Sequence, residues 1–143
     1  MTESTSPNFA GLEVGQQVAE RAVSVTRDTL VRYAGASGDF NPIHYNDVVA
    51  ESVGLPGVIA HGMLTMGVGA SVVEEWAGAG NVSDYQVRFT RPIPVPNPGE
   101  ALVTVRAVIG ALDEERRTAR VDLTVEHDGV KVLGRAQAVV DCD

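Results

Sequence analysis

The stretch Gly62–Trp76, GMLTMGVGASVVEEW, decides how this chain must fold. Met63, Leu64, Met66, Val68, Ala70, Val72, Val73 and Trp76 fall on nearly every side of a helix, and charge enters only at Glu74 and Glu75. A helix that is apolar all round must be buried all round. Its glycines weaken it by about 1 kcal/mol each relative to alanine, and close approach of another backbone is the usual reason to keep them. The run 54–73 is uncharged when His61 is neutral, and its length invites a membrane-spanning reading. Pro56, Gly57, His61, Gly62, Gly67 and Gly69 interrupt it too often for that. It reads as a buried helix of a water-soluble domain.

Downstream of Gly80 the apolar period changes to two. Tyr85, Val87 and Phe89 alternate with Gln86, Arg88 and Thr90; Ala101, Val103, Val105, Ala107 and Ile109 alternate again, as do Ala119, Val121, Leu123 and Val125. Asp128-Gly129 is a strong two-residue hairpin signal. After it, Val130, Val132, Gly134, Ala136, Ala138 and Val140 line one face of a last strand. Between the first two strands lies Pro92–Gly99, whose four prolines make it a stiff connection and no central strand. An antiparallel meander with one polar face must bury the other, and the long helix is the one partner of sufficient length. The expected fold is α+β, a strongly curved antiparallel sheet wrapped around a long central helix. Its open edge needs a cover, which predicts a dimer.

Upstream, residues 1–10 read as a flexible tail and 11–143 as one domain. Val18–Val25 reads as a first strand, Thr26 as an N-cap with Asp28 in the first helical turn, and Leu30, Tyr33 and Ala34 as an apolar stripe. Asn46 caps a short helix through Ser52 that Gly54 ends, and Leu55-Pro56-Gly57 is a turn. A length of 143 residues suits a single domain with a real core. The net charge of −8 argues against nucleic acid or an anionic membrane as partner, since both call for a basic face. The lone cysteine, Cys142, fits a reducing compartment. The first residues show neither a basic cluster nor an apolar run, so no signal peptide and a cytoplasmic setting are expected.

The chemistry concentrates between the two early helices, in Tyr33–Ala50, YAGASGDFNPIHYNDVVA. Pro42 has no N–H and pushes Asn41 towards an extended conformation, so Asp39 and His44 sit on a shaped loop that can aim both at one point. A carboxylate and a neutral imidazole converging there can hold a water and move its proton. The second ingredient is Ala60-His61-Gly62-Met63 at the start of the buried helix. First-turn N–H groups have no helical partner, and the dipole behind them would polarise a carbonyl and stabilise its enolate. Together these features suggest reversible addition of water to a double bond conjugated to a carbonyl.

The tract Ser37-Gly38-Asp39-Phe40-Asn41-Pro42-Ile43-His44, with Ala50 at a small position, resembles the signature of the MaoC-like, (R)-specific enoyl hydratase family, which has the hot-dog fold. Ala60-His61-Gly62-Met63 matches that family's second motif. Tyr85–Asn97, YQVRFTRPIPVPN, looks still more like the B-subunit branch of mycolic-acid-type (3R)-hydroxyacyl-ACP dehydratases. The likeness covers 11–140 and departs nowhere from the catalytic pattern, which some sister subunits lack. It implies that Asp39 and His44 activate water and share acid and base roles in a syn addition or elimination. It implies further that Asn41 orients them and that the Gly62 N–H binds the thioester carbonyl. Implied as well are an acyl-ACP or acyl-CoA substrate, no cofactor, and a homodimer or a heterodimer with a sister hot-dog subunit.

Blander readings stand beside these. Asp39-x-Asn41 can be turn chemistry alone. Asp39, His44 and His61 suggest a metal set, but no second carboxylate–histidine cluster completes one, so no metal is expected. His61 packs or hydrogen-bonds at the helix start. Ser37 orients Asp39 or shapes the turn. Ser37, Met63, Arg88 and Arg91 are carried as candidate substrate contacts, the arginines towards a phosphate of CoA or of a carrier-bound pantetheine and Met63 along an acyl tunnel. The favoured setting is a dehydratase of fatty-acid elongation; competing functions are an enoyl-CoA hydratase of degradation or polyester supply, a non-catalytic acyl-binding subunit, and a hot-dog thioesterase.

Overall fold

The computed structural model describes residues 5–143. Strand β1 (Gln17–Val25) leads into α1 (Arg27–Ser37), where Thr26 and Thr29 form a reciprocal capping box. The short α2 (Asp47–Ser52) is capped by Asn46, whose side chain accepts from Val48 N–H and Val49 N–H. The long α3 (Gly62–Ala77) follows, and then β2 (Val82–Phe89), β3 (Ala101–Asp113), β4 (Thr118–His127), β5 (Val130–Lys131) and β6 (Leu133–Asp141). All strand pairs are antiparallel, in the order β1-β3-β4-β6-β2 with β5 beside β4. Helix α3 touches β1, β2, β3, β4 and β6, and its buried Gly69, Val72, Val73 and Ala77 meet the inward Val and Ala residues of the sheet. This is the antiparallel sheet around a central helix expected from the alternation, and the hot-dog arrangement that the resemblance implies.

Three expectations change. The sheet is not a simple meander, because β2 pairs with β6 and lies at the opposite edge from β1. Alternation tells which face of a strand is apolar and says nothing about its neighbour. The last strand is also broken. After the turn, where Asp128 (φ 51°) and Gly129 (φ 73°) both take the left-handed conformation, β5 ends at Lys131. Arg135 sits at φ 22° beside a register shift, so Val132 and Leu133 are both buried and Val130 is exposed. Finally, the expected tail is in part packed. Phe9 is buried in a 3₁₀ turn (Phe9–Gly11) capped by Asn8, and its ring lies under the Arg117 guanidinium. Residues 1–4 of that expected tail lie outside the described residues.

A fourth difference concerns α3 itself. Gly62, Met63, Gly67, Ser71 and Glu74 form an exposed stripe along it, and Met63 is 59 % exposed. The sheet of one chain wraps only part of the helix circumference. Among the described residues no helix is long and apolar enough to cross a membrane.

The proline-rich connection has a positional role. Pro92, Pro94 and Pro96 alternate with the buried Ile93 and Val95. The residues that keep an amide bond the segment before α3: Val95 N–H donates to Val58 O at 3.0 Å, and Ala60 N–H to Ile93 O at 2.9 Å. Proline is tolerated because every second backbone group faces away from this narrow ladder. Arg27 completes the clamp. Its guanidinium donates to Val95 O and forks onto Asp47, which also accepts from Val58 N–H. One ion pair thereby ties the starts of α1 and α2 to the segment that leads into α3.

Candidate active site

Between α1 and α2 the side chains stitch the loop residue by residue. Helix α1 stops at Gly38 (φ 77°), whose N–H returns to Ala34 O. Ser37 Oγ accepts from Asp39 N–H, Asp39 Oδ1 from Asn41 N–H, and Asn41 Oδ1 from Ile43 N–H, at 3.1, 3.1 and 3.2 Å. Each short polar side chain caps the amide two residues on. Pro42–His44 then form one 3₁₀ turn, which turns His44 inward until it is buried.

The result is an aimed pair. Asp39 spends Oδ1 on the loop, and its Oδ2 lies 3.9 Å from His44 Nε2. His44 Nδ1 is 2.7 Å from Ile59 O. A carbonyl only accepts, so Nδ1 carries a proton, and in the neutral ring Nε2 then presents its lone pair to Asp39. Two acceptors face each other across a gap too long for a direct hydrogen bond. The gap fits a water that would donate one hydrogen to each. The turn uses Asp39 Oδ1, which leaves Oδ2 facing His44.

His61 supports the pair from below. Its ring stacks on that of His44, 3.9 Å between centroids at 25°, and meets Tyr33 edge-on at 4.7 Å. Its Nε2 donates to the Asp39 carbonyl at 3.1 Å, while Nδ1 is buried without a hydrogen-bond partner. Burial holds its pKa below the usual histidine value, so the ring is neutral. Ligand atoms of Asp39, His44 and His61 lie within 4.8 Å of one another, close enough for one ion. His61 Nε2 and His44 Nδ1 are committed to carbonyls, however, which leaves His44 Nε2 and Asp39 Oδ2 as the facing pair.

His44 forms part of the wall of a pocket of about 400 Å³, together with Gly62, Thr65, Phe89, Arg91 and Leu133. Gly62 opens α3, where no side chain caps the helix. Its unshared N–H groups bring the positive end of the dipole to the same pocket as the His44 ring. On its other side His44 borders an apolar pocket of about 340 Å³ formed by Leu30, Val31, Ala34, Phe40 and Tyr45.

Of the candidate contacts, only Arg91 lines the first pocket. Arg88 lies back along β2, opposite Gly134 of β6, and Met63 is on the exposed stripe of α3. Ser37 stays within the turn. Ser37, Met63 and Arg88 thus lie outside this pocket's wall, and Ser37 shapes the turn, the other reading the sequence offered for it. Thr65 and Phe89 were not foreseen. Thr65 shares the Gly62 face of α3 at i+3, a spacing visible in the sequence. Phe89 ends an edge strand, where alternation alone predicts core.

A family model described as MaoC-like domain matches residues 9–131. The 3-hydroxyacyl-thioester dehydratase X of Mycobacterium tuberculosis is 40 % identical over 72 residues, which are half of this chain and 25 % of that protein. The (R)-specific enoyl-CoA hydratase of Rhodospirillum rubrum is 30 % identical over 103 residues, 71 % of each chain. A solved structure described as a MaoC-like dehydratase superposes with a TM-score of 0.94 at 38 % identity, covering 98 % of this chain and 43 % of that one. The chain thus spans a quarter of the length of the first of these relatives.

Proposed function

The chain belongs to the MaoC-like domain family, and from that premise we propose that it hydrates trans-2-enoyl thioesters and dehydrates (3R)-hydroxyacyl thioesters, reversibly. The observation that carries the proposal is the pair of acceptors, His44 Nε2 and Asp39 Oδ2, facing across 3.9 Å. Water bound between them loses a proton to one of the pair as its oxygen bonds to Cβ. A proton reaches Cα from the same side, so the pair ends with the protons it began with. The negative charge that develops on the thioester oxygen meets the N–H groups at Gly62. Asn41 keeps the pair in place by its N–H on Asp39 and by capping the turn that carries His44. Arg91 meets an anionic group of the substrate's carrier arm at the pocket wall. The relatives named above, a 3-hydroxyacyl-thioester dehydratase and an (R)-specific enoyl-CoA hydratase, support the same substrate class.

A second hot-dog subunit, identical or sister, is the proposed partner. The exposed α3 stripe with Met63 and one of the two open sheet edges are the surfaces such a subunit would cover. A cytoplasmic setting accords with the single free thiol of Cys142.

The test is loss of the conjugated thioester absorbance when purified protein meets trans-2-enoyl-CoA of short and long chain. Wild type should turn over. Asp39→Asn and His44→Ala, both folded by circular dichroism, should be slower by about two orders of magnitude or more. Near-wild-type rates in either variant would remove the assigned roles.

A further inference from the structure

This chain is acidic, and five of its eleven Lys and Arg side chains are neutralised where they stand. Arg21, Arg27, Arg32, Arg106 and Arg120 each hold a carboxylate. Arg116 and Arg117 lie apart at the turn between β3 and β4, Arg117 donating to Asp143 O; among the described residues Arg88, Arg91, Lys131 and Arg135 also hold no carboxylate, and these four are exposed. The backbone gathers them at one corner. Arg88 lies opposite Gly134 in the β2–β6 pair, next to Arg135. The amides of Thr90 and Arg91 both reach Val132 O, at 3.1 and 3.4 Å, next to Lys131. The nearest acids do not cancel the patch. Glu126, opposite Lys131, is taken by Arg106, and Asp128 at the hairpin tip faces His127.

The corner adjoins the pocket, since Arg91, Val132 and Leu133 belong to its wall. Arg88, Lys131 and Arg135 lie outside that wall, spread over three strands. One phosphate entering the pocket would need Arg91 alone. Four free cations around the mouth match a broader anionic surface.

We infer that this corner docks an acidic carrier protein, which presents the acyl thioester on a flexible arm to the pocket. The inference rests on the hydratase reading above. Complementary charge at a rim acts mainly on encounter and salt dependence. The net charge of −8 disfavours an acidic partner over the molecule as a whole, so a local cluster of cations also biases the orientation of docking.

The experiment compares wild type with Lys131→Glu/Arg135→Glu, two exposed positions outside the pocket wall. Binding of an acidic acyl carrier protein loaded with trans-2-octenoate is followed by fluorescence anisotropy at low and high salt. Turnover of trans-2-octenoyl-CoA and the sedimentation coefficient are controls. The expected result is salt-sensitive binding to wild type that weakens about tenfold or more in the variant, with CoA turnover within about twofold. No binding to wild type, or equal binding to both proteins, overturns the inference. So does a variant that loses CoA turnover but keeps the carrier protein, or one that changes only its oligomeric state. If wild type fails to hydrate the CoA thioester, the hydratase reading fails, and the binding arm still decides the docking surface on its own.

Discussion

His61 lies flat against His44 and at the same time holds the main-chain carbonyl of Asp39, so one buried ring fixes both members of the facing pair. Replacing it with phenylalanine keeps a flat ring between Tyr33 and His44 and removes the hydrogen bond to Asp39. It also removes the orphaned Nδ1, so stability should change little. The expected result for His61→Phe is kcat lowered about tenfold, the equivalent of one good hydrogen bond, with KM nearly unchanged. His61→Gln, which keeps a donor, should recover part of the loss. A variant whose melting temperature collapses while kcat per folded molecule stays normal would make His61 merely structural.

Gly62 separates activity from stability. A Cβ there would come within 3.2 Å of the Phe89 ring, and Phe89 is 54 % exposed and free to swing aside. Alanine favours the helix over glycine by up to about 1 kcal/mol. Gly62→Ala should therefore unfold at an equal or higher temperature. On the proposed function its kcat/KM should fall about tenfold or more, because the methyl group would crowd the pocket wall where a carbonyl would approach the N–H groups. Thermal melts and steady-state kinetics on the same preparation check both halves.

How much of this was legible in the sequence depends on range. Thr26, Asn46 and Asp128-Gly129 act on their own neighbours, and each does in the structure what its type dictates. Asp39 and His44 were readable because Pro42 forces a loop between them. What failed to show is non-local. The β2–β6 pairing joins Arg88 to Gly134, and the Asp39–His61 bond spans 22 residues. Neither leaves a periodic trace. The exposure of Met63 on α3 was hidden for another reason, since a methionine facing solvent and one facing a core look alike in one chain.

The pH dependence of stability follows from His61. Burial holds its folded pKa below the ordinary 6.5, so between those two values the unfolded chain binds more protons than the folded one. Stability then rises with pH in that window, is complete above about 6.5, and is lost on acidification through it. Asp47 adds a loss at lower pH, because the Arg27 hydrogen bond holds its carboxyl below 3.8. Melting temperature against pH should be flat above about 6.5 and should decline below it. The His61→Phe curve should lack the first decline. Superimposable curves for the two proteins would contradict the assignment.

Tyr85 and Gly69 meet where α3 crosses β2. The Tyr85 hydroxyl donates to Met66 O at 2.9 Å, and burial pushes its pKa up to about 12, so it stays a donor at any ordinary pH. A Cβ on residue 69 would stand 2.5 Å from that hydroxyl oxygen and 3.3 Å from Leu123 Cδ2. Gly69→Ala should cost about 1–3 kcal/mol by overpacking. Tyr85→Phe alone should cost about 1 kcal/mol for the lost hydrogen bond. Together they should cost less than the sum, because without the hydroxyl the nearest ring atom, Cζ, lies 3.7 Å from the new methyl group, an ordinary contact. Urea unfolding of the four proteins gives the coupling, expected to be about 1 kcal/mol or more. Strict additivity would mean that the helix shifts away from the sheet, and that glycine at 69 is not kept for this hydroxyl.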